Sequence, residues 1–127
     1  MIETTGGRVS FIGDVISNEQ LADWYDATAD YIEVHGWTRK QLCDRKTGAV
    51  CASGALCAIV APEMFGLVKA HVPVVITGSY TFWMEAARRT MTGPRTGKPL
   101  SYWNDHMAKD RFEVIDLFRN RAKELRA

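Results

Sequence analysis

From Gly48 to Val60 the chain runs through its least polar stretch, Gly-Ala-Val-Cys-Ala-Ser-Gly-Ala-Leu-Cys-Ala-Ile-Val, built of residues small enough for other backbones to come close. Within it, Ala52 to Ala61 is apolar all round, not along one stripe, which predicts a helix buried on every side, with Gly54 and Ala55 as contact points for a neighbour. The flanking material is amphipathic. Ser17-Asn18-Glu19-Gln20 reads as a capping box, and Ile16 and Leu21 on either side of it as a hydrophobic staple. At 100° per residue Leu21, Trp24, Tyr25, Thr28, Ile32 and His35 share one face of the helix that follows, and Glu19, Asp23, Asp26, Asp30 and Glu33 share the other. Gly36 ends it as a left-handed cap, with Trp37 folding back on the last turn.

Between that helix and the apolar run, Leu42-Cys43-Asp44 and Ala49-Val50-Cys51 flank Arg45-Lys46-Thr47-Gly48. This predicts a small β-hairpin with Gly48 at positive φ and Cys43 opposite Cys51. Pro62 opens a further helical turn through Ala70. The β-branched Val72-Pro73-Val74-Val75-Ile76 reads as a strand or an extended connection, as does Arg8-Val9-Ser10-Phe11-Ile12 near the start. Thr77-Gly78-Ser79 begins a helix with Phe82, Trp83, Ala86, Ala87 and Thr90 at helical spacing. Thr92 to Pro99 is the main loop. After Tyr102-Trp103-Asn104-Asp105-His106, a closing helix is capped by Asp110 and buries Val114, Ile115, Phe118, Ala122 and Leu125, with Arg119, Lys123 and Arg126 beside that face.

The fold expected is mainly α: one compact domain over residues 1–127, with 1–7 loose, of four or five helices around the buried apolar helix, plus the one hairpin. Composition agrees. At 127 residues, 46% hydrophobic and 24% charged, the chain has the make-up of a globular domain that needs no metal or disulfide to fold. No apolar run approaches the roughly 20 residues of a membrane span, and Met1-Ile2-Glu3 lacks a basic leader, so a cytoplasmic protein without membrane contact is expected. Three cysteines at irregular spacing predict thiols, not disulfides.

Charge changes the picture more than composition does. The net +1 conceals seven acids and one base in residues 1–34, against eight acids and fifteen bases in 35–127. Acidic and basic elements facing each other is the plain explanation. Across two copies the same complementarity would make a homodimer. A nucleic-acid surface over Arg88, Arg89, Arg95, Lys98, Lys109, Arg111 and the C-terminal bases is disfavoured, because no recognition motif accompanies them and the pI is only about 7.7.

Candidate chemistry is sparse. Cys51 stands where the hairpin meets a helix N-terminus, a position that favours thiolates, and His106 with Asn104 or Asp105 could complete a nucleophile, base and orienting group. The alanines around Cys51 speak for a core thiol instead. Cys43, Cys51 and His35 or His71 lack metal-ligand spacing, so no metal is expected, nor any cofactor. Trp103-Asn104-Asp105 suits a cap or loop clasp between two helices, or, with Arg95 or Arg111, a polar ligand pocket. Gly93-Pro94-Arg95-Thr96-Gly97-Lys98 lacks the spacing and ending of a phosphate loop.

His35-Gly36-Trp37, Asp44 and Gly48, Cys51-Ala52-Ser53-Gly54-Ala55-Leu56 and Trp103-Asn104-Asp105, in that order over about residues 20–125, resemble a family of small uncharacterised proteins, a domain of unknown function from actinobacteria, other bacteria and their phages. The chain departs from that pattern where His106-Met107-Ala108-Lys109 replaces a short proline- and glycine-containing link. The resemblance implies the domain and a bacterial or phage setting, and it attaches no activity. The function expected is therefore that of an accessory or interaction protein contacting a host or phage protein through Asp23, Asp26, Asp30 and Glu33. The alternatives are a small cysteine-dependent enzyme or ligand-binding protein using Cys51, Asn104, Asp105 and His106, and a weak nucleic-acid binder.

Overall fold

The computed structural model describes residues 16–74, 78–91 and 98–127. These form six helices: α1 (Asn18–His35), α2 (Ala52–Val60), α3 (Pro62–Ala70), α4 (Gly78–Thr90), α5 (Leu100–His106) and α6 (Arg111–Arg126). That is one more than expected, because the Trp-Asn-Asp segment is itself helical. The expected segments at 8–12 and 93–97, and part of that at 72–76, lie outside the described residues.

α1 begins as its local sequence dictates. The Ser17 hydroxyl accepts from the Gln20 N–H at 3.0 Å, and Ile16 and Leu21 are both buried. Its inner face is Leu21, Ala22, Tyr25, Thr28, Ala29 and Ile32, while His35 is exposed and stacks on Tyr31 at 3.9 Å between centroids. α6 starts with a reciprocal cap: Asp110 accepts from the Glu113 N–H at 2.9 Å and Glu113 accepts from the Lys109 N–H at 2.7 Å. Val114, Ile115, Leu117, Phe118 and Ala122 form its buried face. α1 and α6 make the most extensive helix pairing of the fold, with the Tyr25 and Phe118 rings 5.7 Å apart. The Tyr25 hydroxyl donates to the Ala86 carbonyl at 2.7 Å and so ties α4 to this pair.

α2 occupies the middle, touching α1, α3, α4 and α5. Ala52 to Cys57 are all buried, whereas Ala58 to Val60 are half-buried where Pro62 redirects the chain into α3. The indole N–H of Trp83 in α4 donates to the Ser53 carbonyl at 3.0 Å.

The hairpin does not form, and no strand occurs among the described residues. Two isolated bridges meet at Val50, a parallel one with Trp37 and an antiparallel one with Cys43. The turn is as expected: Gly48 has φ +82° and its N–H donates to the Asp44 carbonyl at 2.7 Å. The register is not, since Val50 rather than Cys51 faces Cys43. Both backbone groups of Val50 go to the other side, its N–H to Gly36 (3.1 Å) and its carbonyl to the N–H of Thr38 (3.0 Å). With Cys51 already capping α2, only one residue is left to pair, and a ladder cannot propagate from it. Gly36 has the expected positive φ of 93°, but with ψ 174° it sends the chain outward instead of closing a left-handed cap. Trp37 accordingly leaves α1 and reaches toward α5.

Among the described residues, no helix is long and apolar enough to cross a membrane.

Candidate functional site

Trp103-Asn104-Asp105 lies within α5, which corrects the expectation of a link between helices. Leu100 and Asn104, one turn apart, are the residues α5 buries. Asn104 is wholly enclosed, and its side-chain amide is fully used. Its Oδ1 accepts from the Trp37 indole N–H at 2.7 Å and the Ala52 N–H at 2.8 Å. Its Nδ2 donates to the Thr38 carbonyl at 3.2 Å and to Asp105 Oδ1 at 3.0 Å. Two donors on one atom and two acceptors on the other fix the amide orientation, and nothing is left over for a ligand. Asp105 Oδ1 also accepts from the N–H of Lys40, which sits at φ +66°. Burial resists the charge on Asp105, but the Lys40 N–H and the Asn104 amide together hold its carboxyl below its ordinary pKa.

One amide thus joins the turn after α1, the start of α2 and α5. The Ala52 N–H it satisfies is one of the donors that a helix start leaves without an internal partner. A second, the Gly54 N–H, donates to Cys51 Sγ at 3.2 Å, so Cys51 is the N-cap of α2. A helix start favours thiolate, but burial outweighs it and Asp105 adds to the effect. The Cys51 thiol is pushed up from its ordinary value despite the N–H groups of Gly54 and Ser53. Burial raises Cys43 as well, and lifts Cys57 to about 12.

Of the candidate catalytic set, then, Cys51, Asn104 and Asp105 share one neighbourhood. His106 does not join them: it is exposed, its ring 4.6 Å from that of Tyr102. Arg95 lies outside the described residues, and the guanidinium of Arg111 lies 5.1 Å from the Phe112 ring centroid. A capping thiol beside a saturated amide has no general base within its hydrogen-bond set. Among the described residues, no group of three or more His, Cys, Asp or Glu side chains is placed to hold a metal ion.

This arrangement predicts how the thiols react. All three cysteines are buried and free. In the folded protein at pH 8, an aromatic disulfide reagent should label them far more slowly than a model thiol, and denaturant should release three fast equivalents. Rapid labelling of Cys51 near neutral pH in the folded protein would instead mark a reactive thiolate.

The acidic face of α1 is met from within the chain. Arg119 donates to Asp26 (3.4 Å), Asp30 (2.5 Å) and Glu33 (2.9 Å), and Arg126 to Glu19 (3.4 Å), Asp23 (2.6 Å) and Asp26 (2.6 Å). These hydrogen bonds raise the pKa of both guanidinium groups, so the arginines stay charged throughout. Acidic and basic elements do face each other, which accounts for the charge segregation of the two parts of the chain. Each pair is partly solvated, so the network orients α6 on α1 more than it stabilises it.

Residue spacing did not reveal the partners of Asn104. Trp37, Thr38 and Ala52 stand 67, 66 and 52 positions away. The available signal was compositional: a Trp with an indole N–H to place, and a helix start with no Ser, Thr, Asp or Asn at its cap position.

What the geometry defines is a mainly helical fold whose central helix is clasped at its start by a buried asparagine amide. The family model of DUF6197, a family of unknown function, matches residues 17–124, and the chain belongs to that family. Neither a curated protein nor a solved structure matches it.

Proposed function

We propose that this is a non-enzymatic accessory protein of a bacterium or its phage that acts by protein–protein contact, and that the contact is made by its cationic end against an acidic partner. The carboxylates of α1 already hold Arg119 and Arg126, and offering them to a partner would break those pairs. The observation that carries the reading lies at the other end of the charge distribution. Lys40, Arg45 and Lys46 are exposed in the loop between α1 and α2 and form no ion pair with any described residue. Arg45 and Lys46 line an open hollow of about 560 Å³ with Gln41, Asp44 and His71. Asp44 is the one acid among its described lining residues, and it is engaged in holding the loop, accepting from the Lys46 N–H at 2.9 Å. Unpaired cations on a preformed loop are available to an acidic surface, where complementarity mainly raises association rate and specificity.

The test is capture from host lysate by three proteins: wild type, Lys40→Glu/Arg45→Glu/Lys46→Glu, and Asp23→Asn/Asp26→Asn/Asp30→Asn. A stoichiometric partner should bind wild type and the asparagine variant, be lost from the glutamate variant, and weaken as salt is raised. The reverse pattern would return the contact to α1. No stoichiometric partner for any of the three would defeat the interaction reading.

A further inference from the structure

Where α4, the start of α5 and the start of α2 meet, the protein has a half-open hollow of about 480 Å³, within the range of small-molecule sites. Its walls include Met84, Ala87, Met91 and Leu100, with Ser53 from α2 and the cations Arg88 and Lys98 completing the described lining. Three features give it a chemical preference.

The first is Ser53. The residue is only 8% exposed, and its carbonyl is occupied by the Trp83 indole, but its hydroxyl has no hydrogen-bond partner among the described residues. Buried hydroxyls are normally partnered, and one without a partner in the wall of a cavity is a donor waiting for an acceptor. The second is position. Ser53 is in the first turn of α2, a nine-residue helix, so the hydroxyl lies at the positive end of the helix dipole. The N–H of Ala52 is already used by Asn104 and those of Ser53 and Gly54 are turned to Cys51, which leaves the hydroxyl as the donor this end can offer. The third is charge. Arg88 is held by Glu85 at 2.6 Å, whereas Lys98 packs over the Tyr102 ring at 4.9 Å and has no ion pair with a described residue. The described lining therefore supplies one positive charge without an ion pair beside an apolar hollow.

We propose that this cavity binds a small amphiphilic carboxylate, its apolar body against Met84, Met91 and Leu100 and its head accepting from the Ser53 hydroxyl and neutralised by Lys98. Methionine walls adapt to a flexible chain. A singly charged head matches the one cation of the described lining that has no ion pair, whereas the second charge of a phosphate monoester would find there only Arg88, already held by Glu85. The site is separate from the cationic loop, and the two readings stand or fall independently.

Octanoate is the probe, with octanol and octyl phosphate as comparisons, in calorimetric titrations of the whole protein. Octanoate should bind saturably at one site. Ser53→Ala and Lys98→Gln should each weaken it by about tenfold, the effect of one hydrogen bond to a charged group, and octanol should bind more weakly than octanoate. Lys98 is exposed, so its variant tests the site without threatening the fold. The proposal is overturned by absence of saturable octanoate binding at millimolar concentration, by binding that neither substitution alters, or by octyl phosphate binding as tightly as octanoate.

Discussion

Replacing Asn104 by leucine should lower the unfolding free energy by about 4 kcal/mol, because it strands several buried partners at once, each costing about 1–3 kcal/mol when left unpaired. Leucine has nearly the same shape, so the loss cannot come from a cavity. It comes from the Ala52 N–H and the Thr38 carbonyl, which lose their amide partner, and from the Trp37 indole, which recovers part of its loss by reaching water. Urea unfolding followed by far-UV circular dichroism measures this as a shift in midpoint at unchanged slope. A loss under about 1 kcal/mol would mean that the amide does not tie the three segments together.

Asn104→Asp separates the acceptor role from the donor role. The carboxylate can still accept from Trp37 and Ala52, but it cannot donate to Thr38 and it faces the Asp105 carboxylate. Burial and that neighbour push its pKa up in the folded state, so the folded protein binds more protons than the unfolded chain. Stability then falls as pH rises through the folded value. The aspartate variant should therefore approach wild type at acidic pH, where a protonated carboxyl donates in place of the amide, and be weakest near neutrality. The leucine variant should show no such recovery. A parallel pH dependence in the two variants would remove the donor role of Nδ2.

Which parts of this architecture were legible in the sequence follows from how local their causes are. The start of α1 is decided by Ser17 and Gln20, three positions apart, and the start of α6 by Asp110 and Glu113; both are readable from spacing alone. The burial of α2 follows from the absence of any polar face. The hairpin was misread because its two arms look sufficient when considered alone. What displaces it is Val50 pairing with Trp37 and Thr38, a third segment whose arrival the arms do not encode. Trp-Asn-Asp was legible as a structural element, but its place inside a helix and its choice of Trp37, Thr38 and Ala52 as partners were not, since each of these lies more than fifty positions away. The charge segregation predicted that opposite faces would meet; only the helix pairing selects Arg119 and Arg126 and leaves Arg45 and Lys46 without an ion pair among the described residues. Ser53 looked like one more small residue of the apolar run, because an unpartnered hydroxyl is a property of surroundings and not of sequence.

Substituting alanine for Gly54 should destabilise the fold by about 3 kcal/mol, the upper part of the range for overpacking, although alanine is by itself the better helix former by about 1 kcal/mol. A Cβ at this position would stand 2.0 Å from the Leu42 carbonyl oxygen, 2.9 Å from its carbon and 3.2 Å from its Cα. These are backbone atoms, so no rotamer change relieves the clash. The loop between α1 and α2 must lift, and it is held in place: the Leu42 carbonyl accepts from the Cys51 N–H at 3.3 Å, Cys43 bridges Val50, and the Lys40 N–H is fixed to Asp105. Lifting it therefore loosens the same clasp that Asn104 closes, and the two sites should be non-additive when combined. Gly66 in α3 is the control, since a Cβ there meets nothing within 4 Å, and Gly66→Ala should stabilise by about 0.5–1 kcal/mol through the unfolded chain. Thermal unfolding of the two variants thus reads one chemical change with opposite signs. If Gly54→Ala raises the melting temperature as Gly66→Ala does, the loop does not lie on α2, and the close approach that the small-residue run was built to allow is absent.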